Sequence, residues 1–252
     1  MAALLEVANL NKHFGGLHAV KNVALAIERG EVVGVLGPNG AGKTTVYNLL
    51  TGFIAPDPGA TIVFQGRSIV GLPPYRIAAL GISRTFQLCR PFVGLSVLEN
   101  VIVGALGRKG GESADLAVRA RTLLAQVGLA GKEGVPVEVL SYGDQRRLEI
   151  ARALAAKPAL LLLDEPFAGL GSAEIADLSA LIRTVHADKG LTVVLIEHKL
   201  REFMRLVDRV VALDFGEVIA EGIPDDIVRH SAVIEAYIGH DGDAIASQNH
   251  AA

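Results

Sequence analysis

The run Gly37-Pro-Asn-Gly-Ala-Gly-Lys-Thr-Thr45 carries the most specific chemistry in the sequence. It matches the spacing G-x-x-x-x-G-K-[ST]. Glycines there let the backbone curl until its N–H groups face phosphate oxygens, and a helix starting behind them adds its positive end. Lys43 then supplies a point charge for the β- and γ-phosphates of a nucleotide, and Thr44 a hydroxyl for Mg²⁺. The expected phosphate-binding set is Gly37, Pro38, Asn39, Gly40, Ala41, Gly42, Lys43, Thr44 and Thr45. A plain glycine-rich turn is the competing reading, and the position of the run between an apolar strand and a helix argues against it.

Leu160-Leu-Leu-Leu-Asp164-Glu165 is the second such element, an apolar strand ending in two acids. Charge at the end of a buried strand is costly unless something pairs with it. Asp164 is expected to hold Mg²⁺ through water. Glu165, one residue on, is expected to face the γ-phosphate and polarise the attacking water. Together the two runs predict ATP and Mg²⁺ as ligands and hydrolysis as the reaction.

These groups need elements to hold them. Glu31 to Leu36 is a short apolar strand leading into the glycine loop, and Thr44 to Leu50 reads as the helix after it. Leu4 to Leu10 and Val23 to Ile27 have strand character, with a Gly15-Gly16 turn between them, and Thr61 to Phe64 is a further strand. Pro73-Pro74 stands where a helix can begin. Between about 88 and 157 the pattern becomes helical and glycine-punctuated, with Val97 to Leu106, Ser113 to Val127 and Asp144 to Ala156 as the candidates. Alternation then returns: strand Leu160 to Leu163, helix Ala173 to Asp188, strand Leu191 to Ile196, helix Lys199 to Leu206, and strands Arg209 to Leu213 and Glu217 to Ala220. Alternating strands and helices predict an α/β fold with a mainly parallel sheet and an inserted helical lobe. With no tandem repeat, residues 1–240 read as a single ATPase domain, and 241–252 as a small, polar, disordered tail.

Composition narrows the class. The chain has 252 residues, a mean hydropathy of +0.40 and half its residues apolar. Yet no apolar run approaches the roughly 20 residues of a membrane-spanning helix. A net charge of −3 gives no basic footprint for nucleic acid. Cys89 stands alone, which excludes an internal disulfide and a cysteine-rich zinc site and suits a reducing compartment. The first residues lack the pattern of a signal peptide, so a cytoplasmic location is expected. Histidines 13, 18, 186, 230, 240 and 250 show no metal-ligand spacing and read as surface or packing residues.

Leu140-Ser-Tyr-Gly-Asp-Gln145 lies ahead of the acid pair and resembles the L-S-G-G-Q signature of ATP-binding cassette (ABC) ATPases. Further elements of that family occur in order. Phe14 stands where the family places an aromatic that stacks on adenine. Gln87, in Arg84-Thr-Phe-Gln87, matches the glutamine that touches Mg²⁺ and water, and His198 matches the switch histidine. The resemblance implies a P-loop NTPase of the ABC type, with an antiparallel β subdomain beside the parallel core. It makes Glu165, His198, Gln87 and Lys43 the catalytic set, and Thr44, Gln87 and Asp164 the metal set. It implies that Ser141 and Gly143, ahead of a helix, offer an anion site to the ATP of a second ATPase subunit. Tyr142, Asp144 and Gly171 depart from the family pattern, Gly171 replacing an aspartate in the loop after the acid pair.

Phe14-Gly-Gly-Leu, Ile82 to Gln87, Gln145 to Arg152, Ile196-Glu-His-Lys199, Gly216 to Gly222 and Val233 to Gly239 are similar to the ATPases of bacterial branched-chain amino-acid importers, in particular the larger, G-type subunit. That likeness implies a heterodimer, with a homodimer as the alternative, two transmembrane permease subunits and, indirectly, a periplasmic solute-binding protein. It places the chain peripherally on the inner face of the cell membrane, with Pro91 to Leu95 as the permease-docking stretch. Urea and short-chain amide importers share the pattern. A soluble ABC ATPase of translation or DNA repair is the other alternative, and the absence of a second cassette and of a basic surface speaks against it.

Overall fold

A computed structural model describes residues 3–106, 113–197 and 200–240. The chain forms two compact units, Met1–Leu72 with Ile196–Ala252, and Pro73–Leu195.

The first unit opens on a hairpin of β1 (Leu5–Phe14) and β2 (Leu17–Ile27). Leu5, Val7 and Leu10 on one strand and Val20, Val23 and Ile27 on the other are buried, and their spacing departs from strict alternation where the register of the pair shifts. Both strands outrun the expected Leu4–Leu10 and Val23–Ile27. The extension includes the polar cross-strand pair of His13 opposite His18, whose rings stack with centroids 3.8 Å apart. Such pairs stabilise a ladder without leaving a hydrophobic alternation to read. β3 (Val32–Leu36) is buried at every position and feeds α1 (Lys43–Leu50). β4 (Thr61–Phe64) and β5 (Arg67–Ser68) complete an antiparallel sheet in the order β2-β1-β4-β5.

The second unit begins with α2 (Pro74–Leu80), whose proline sits in the first turn where no N–H is missed. β6 (Ile82–Arg84) follows, a strand absent from the sequence reading because three residues, two of them polar, show no period. α3 (Val97–Ala105) starts at a capping box in which Glu99 N–H donates to Ser96 Oγ at 3.3 Å and Ser96 N–H to Glu99 Oε2 at 2.7 Å. α4 (Ser113–Gln126) and α5 (Tyr142–Ala155) continue the helical stretch. α5 begins at Tyr142 rather than Asp144, so Gly143 lies inside its first turn instead of ahead of it. β7 (Leu160–Asp164) is wholly buried and pairs in parallel with β6, Arg84 opposite Leu162. α6 (Ser172–Lys189) and β8 (Thr192–Ile196) follow, with strand order β8-β7-β6.

The chain returns to the first unit through α7 (Leu200–Leu206). β9 (Arg209–Asp214) lies parallel to β3, and β10 (Glu217–Gly222) folds back antiparallel on β9. The Arg209 fork grips both carboxylate oxygens of Glu31, at 2.6 and 2.9 Å, and pins the start of β9 beside the start of β3. α8 (Pro224–Ile227) and α9 (Ser231–His240) close the described residues. The tail reading for 241–252 lies outside them. Among the described residues no helix is long and apolar enough to cross a membrane.

Gly34 in β3 is a tight point of this unit. A Cβ there would stand 2.2 Å from Cζ of Phe203, a fully buried ring on α7. Gly34→Ala is expected to cost about 1–3 kcal/mol through overpacking, lowering Tm by roughly 2–4 °C per kcal/mol. Adding Phe203→Leu should restore part of the loss in calorimetry, since it removes the atoms that collide.

Candidate functional site

The glycine loop joins β3 to α1 within the first unit. Gly42 is the N-cap of α1 at φ 97°, a left-handed conformation, and no side chain caps the helix. The N–H groups of the first turn gather at the positive end of the helix. The loop is gripped from behind. A Cβ on Gly42 would lie 2.7 Å from the Ala19 carbonyl oxygen, and Gly216 N–H donates to Ala41 O at 3.1 Å. Lys43, only 6 % exposed, folds along its own loop and donates to the carbonyls of Gly37 at 2.7 Å and Pro38 at 2.8 Å. Its charge is held at the mouth of the cradle. Asn39, Gly40 and Thr44 are exposed, whereas Gly37, Pro38 and Ala41 are buried. Gly37 N–H donates to Tyr237 Oη on α9 at 3.1 Å, and burial pushes that phenol up to about 12, so it stays protonated. Phe14, at the end of β1, keeps an exposed ring with the Lys12 ammonium 5.5 Å from its centroid.

The acid pair ends β7 in the second unit. Asp164 is 2 % exposed, and its Oδ2 accepts from Arg84 Nη2 at 2.8 Å in a buried ion pair. Asp164 Oδ1 is buried with no hydrogen-bond partner among the described residues. An orphaned carboxylate oxygen is costly, and a cation or an ordered water satisfies it. Glu165 follows at φ 48°, a conformation that costs a non-glycine residue energy and marks sites where geometry matters. Gln87 Nε2 donates to Glu165 Oε2 at 2.9 Å. Thus three predicted residues, Gln87, Asp164 and Glu165, stand together in one unit. His198 lies outside the described residues.

Ser141 is the N-cap of α5 and its Oγ accepts from Asp144 N–H at 3.1 Å, which leaves the hydroxyl proton to donate outward. Gly143 is buried, and a Cβ there would stand 2.7 Å from Glu174 Oε1. Its lack of a side chain makes room for a carboxylate that also accepts from Gly171 N–H at 2.9 Å. Asp144 forms an ion pair with Lys132, which offsets its charge at this helix start. A cavity of about 190 Å³ opens here between Ser141, Gly143, Arg147 and Glu174.

Sequence reasoning assigned no role to Arg84, Arg146, Glu149 or Tyr237. All four stood inside segments that had already been singled out. A signal was present for one pair: Arg146 and Glu149 are charged residues three apart on a helix, beside Leu148 and Ile150, and both are buried.

The ABC transporter family matches residues 20–168, and the branched-chain amino acid ATP-binding cassette transporter family matches 217–243. The high-affinity branched-chain amino acid transport ATP-binding protein LivG of Salmonella typhimurium is 41 % identical over 94 % of this chain and 98 % of its own. BraF of Pseudomonas aeruginosa, described in the same words, is 40 % identical over the same shares. Among solved structures, the ADP conformation of MJ1267, an ATP-binding cassette of an ABC transporter, superposes with a TM-score of 0.85 at 29 % identity, covering 95 % of this chain and all of that one. The dimeric post-hydrolysis state of the cassette MJ0796, bound to ADP and phosphate, gives 0.78 at 27 % identity over 87 % of this chain and 98 % of that one. The glycine loop, the acid pair and the capped signature helix all lie within the matched stretch, and the chain belongs to the ABC transporter family as one of its ATP-binding members.

Proposed function

We propose that the chain is the ATP-hydrolysing subunit of an importer for branched-chain amino acids or related small solutes, with residues 1–240 as its single ATPase domain. The observation that carries the reading is the contact of Gln87 with Glu165, one residue beyond the buried Asp164. A carboxylate held by an amide, next to a carboxylate with an unmet oxygen, suits water activation beside a metal. Similarity to LivG and BraF supports the cargo class.

Lys43 and the first-turn N–H groups of α1 bind the phosphates, with Phe14 taking the adenine ring. Glu165 orients and polarises the attacking water, and Gln87 fixes its rotamer. His198 is assigned the γ-phosphate on its family position alone. The residue types fit Mg²⁺: in the second unit Asp164 Oδ1 is a carboxylate oxygen with no hydrogen-bond partner among the described residues, and in the first unit the exposed Thr44 carries a hydroxyl. Thr44, Gln87 and Asp164 would hold the ion, which would supply positive charge to offset that building up on the phosphates.

Ser141, with its O–H turned outward at the start of α5, serves the nucleotide of a second ATPase subunit. The dimeric MJ0796 structure supports such pairing, with a heterodimer as the expected form. Two permease subunits and, beyond them, a periplasmic solute-binding protein complete the assembly at the inner face of the cell membrane. Phe92 and Val93 are exposed on the stretch assigned to permease docking. Co-purification of the chain with two polytopic membrane proteins tests the assembly, and uptake of labelled leucine against labelled urea separates the cargo classes.

Glu165→Gln is expected to lower phosphate release by about 10²–10⁴-fold, the range for loss of a general base. ATP affinity should persist and the variant should accumulate as a nucleotide-bound dimer in size-exclusion chromatography; wild-type turnover would remove Glu165 from the mechanism. Lys43→Ala should instead abolish binding of a fluorescent ATP analogue, because the charge at the cradle is lost. Chelation of Mg²⁺ should stop turnover in the wild type while Lys43-dependent binding of the free nucleotide is weakened less.

A further inference from the structure

Arg146 on α5 is 2 % exposed, yet it is spent on neighbours that precede Glu165 by far in sequence. Its Nη2 donates to Gln87 O at 2.5 Å and to Tyr142 Oη at 2.7 Å. Its Nη1 donates to Phe86 O at 3.1 Å and reaches Glu149 Oε2 at 3.4 Å. Glu149 Oε1 accepts from Phe86 N–H at 3.0 Å. A buried ion pair on one helix therefore holds the backbone of Phe86 and Gln87 by both donors and acceptors. The Gln87 side chain then meets Glu165 at 2.9 Å.

Tyr142 closes the set. Its ring stands against Gly169 in the loop beyond Glu165, where a Cβ would lie 2.8 Å from Tyr142 Cε1. The Arg146 guanidinium sits 5.1 Å from the same ring's centroid. A guanidinium is a rigid planar fork, so fixing it at the phenol fixes the direction of its remaining donors. Removing the phenolic oxygen leaves Nη2 of the buried Arg146 one acceptor short, and the fork can rotate away from Gln87 O.

We propose that Tyr142 and Arg146 are positioning residues, which hold the Gln87 backbone so that its side chain meets Glu165. This rests on the reading of Glu165 as the carboxylate that polarises water. It gives Tyr142, one of two departures from the family signature, a task within its own subunit: the start of α5 is wired to the hydrolytic carboxylate through one arginine.

The test is a double-mutant cycle on the full chain in its assembled, hydrolysing form, read by single-turnover ATP hydrolysis, which resolves rates far below wild type. Tyr142→Phe keeps the ring against Gly169 and removes only the oxygen. It is expected to slow hydrolysis by roughly threefold to tenfold, the effect of one lost hydrogen bond to a charged group, with the KM for ATP unchanged. In a Gln87→Ala background the same substitution should slow hydrolysis no further, because the side chain it positions is gone. Arg146→Lys, which keeps the charge but not the fork, should behave like Tyr142→Phe and likewise slow hydrolysis no further in the Gln87→Ala background. Equal fold-losses in both backgrounds overturn the proposal, as does a Tyr142→Phe rate equal to wild type while Glu165→Gln is inactive. If Glu165→Gln itself turns over at the wild-type rate, the reading of Glu165 fails and the positioning role falls with it.

Discussion

A charge buried at the end of an apolar strand has to be met by something, and both units of this chain are organised around such a charge. β3 ends in the loop that encloses Lys43, 6 % exposed, and β7 ends in Asp164, 2 % exposed. An isolated ion in such a place costs several kcal/mol even after relaxation. The local architecture follows from how each is answered. Lys43 is answered by carbonyls of its own loop, which must curl to offer them. Asp164 is answered on one oxygen by Arg84, which requires the short strand β6 to lie alongside β7.

The answer to Asp164 is incomplete, and that is where chemistry enters. One carboxylate oxygen is satisfied by protein and the other is not. A fully satisfied pair would be a stability feature at most; a half-satisfied one prefers a ligand that brings positive charge. The positive φ at Glu165 turns the next side chain back toward Gln87 rather than onward along the strand. Strain, an open valence and a nearby amide thus coincide over two residues.

The parts legible in the sequence are those whose physics is local. The glycine loop and the run of four leucines ending in two acids encode backbone curl and strand burial within a few residues. Neither needs a distant partner to be recognised. Fold class followed from alternation, and the antiparallel sheet from the family likeness. What the sequence hid were partners chosen across long separations. Arg84 meets Asp164 across 80 positions and Arg146 meets Phe86 across 60. A lone arginine in a helix reads as solvated until its neighbours are known. β6 was hidden for a different reason, since three residues are too few for any period. The start of α5 was misplaced because Ser141, not the acid after it, is the capping residue.

The hydrogen bond from Gly37 to Tyr237 spans 200 positions of chain. At the roughly 5–20 residues added per second during synthesis, the ribosome needs on the order of 10–40 s after making the glycine before it makes the phenol. For that interval the nascent loop has its sequence but not its last support. This contact is therefore among the last that the glycine loop acquires as the molecule is made, and a chain that terminates before Tyr237 is born with a loop lacking one of its fastenings.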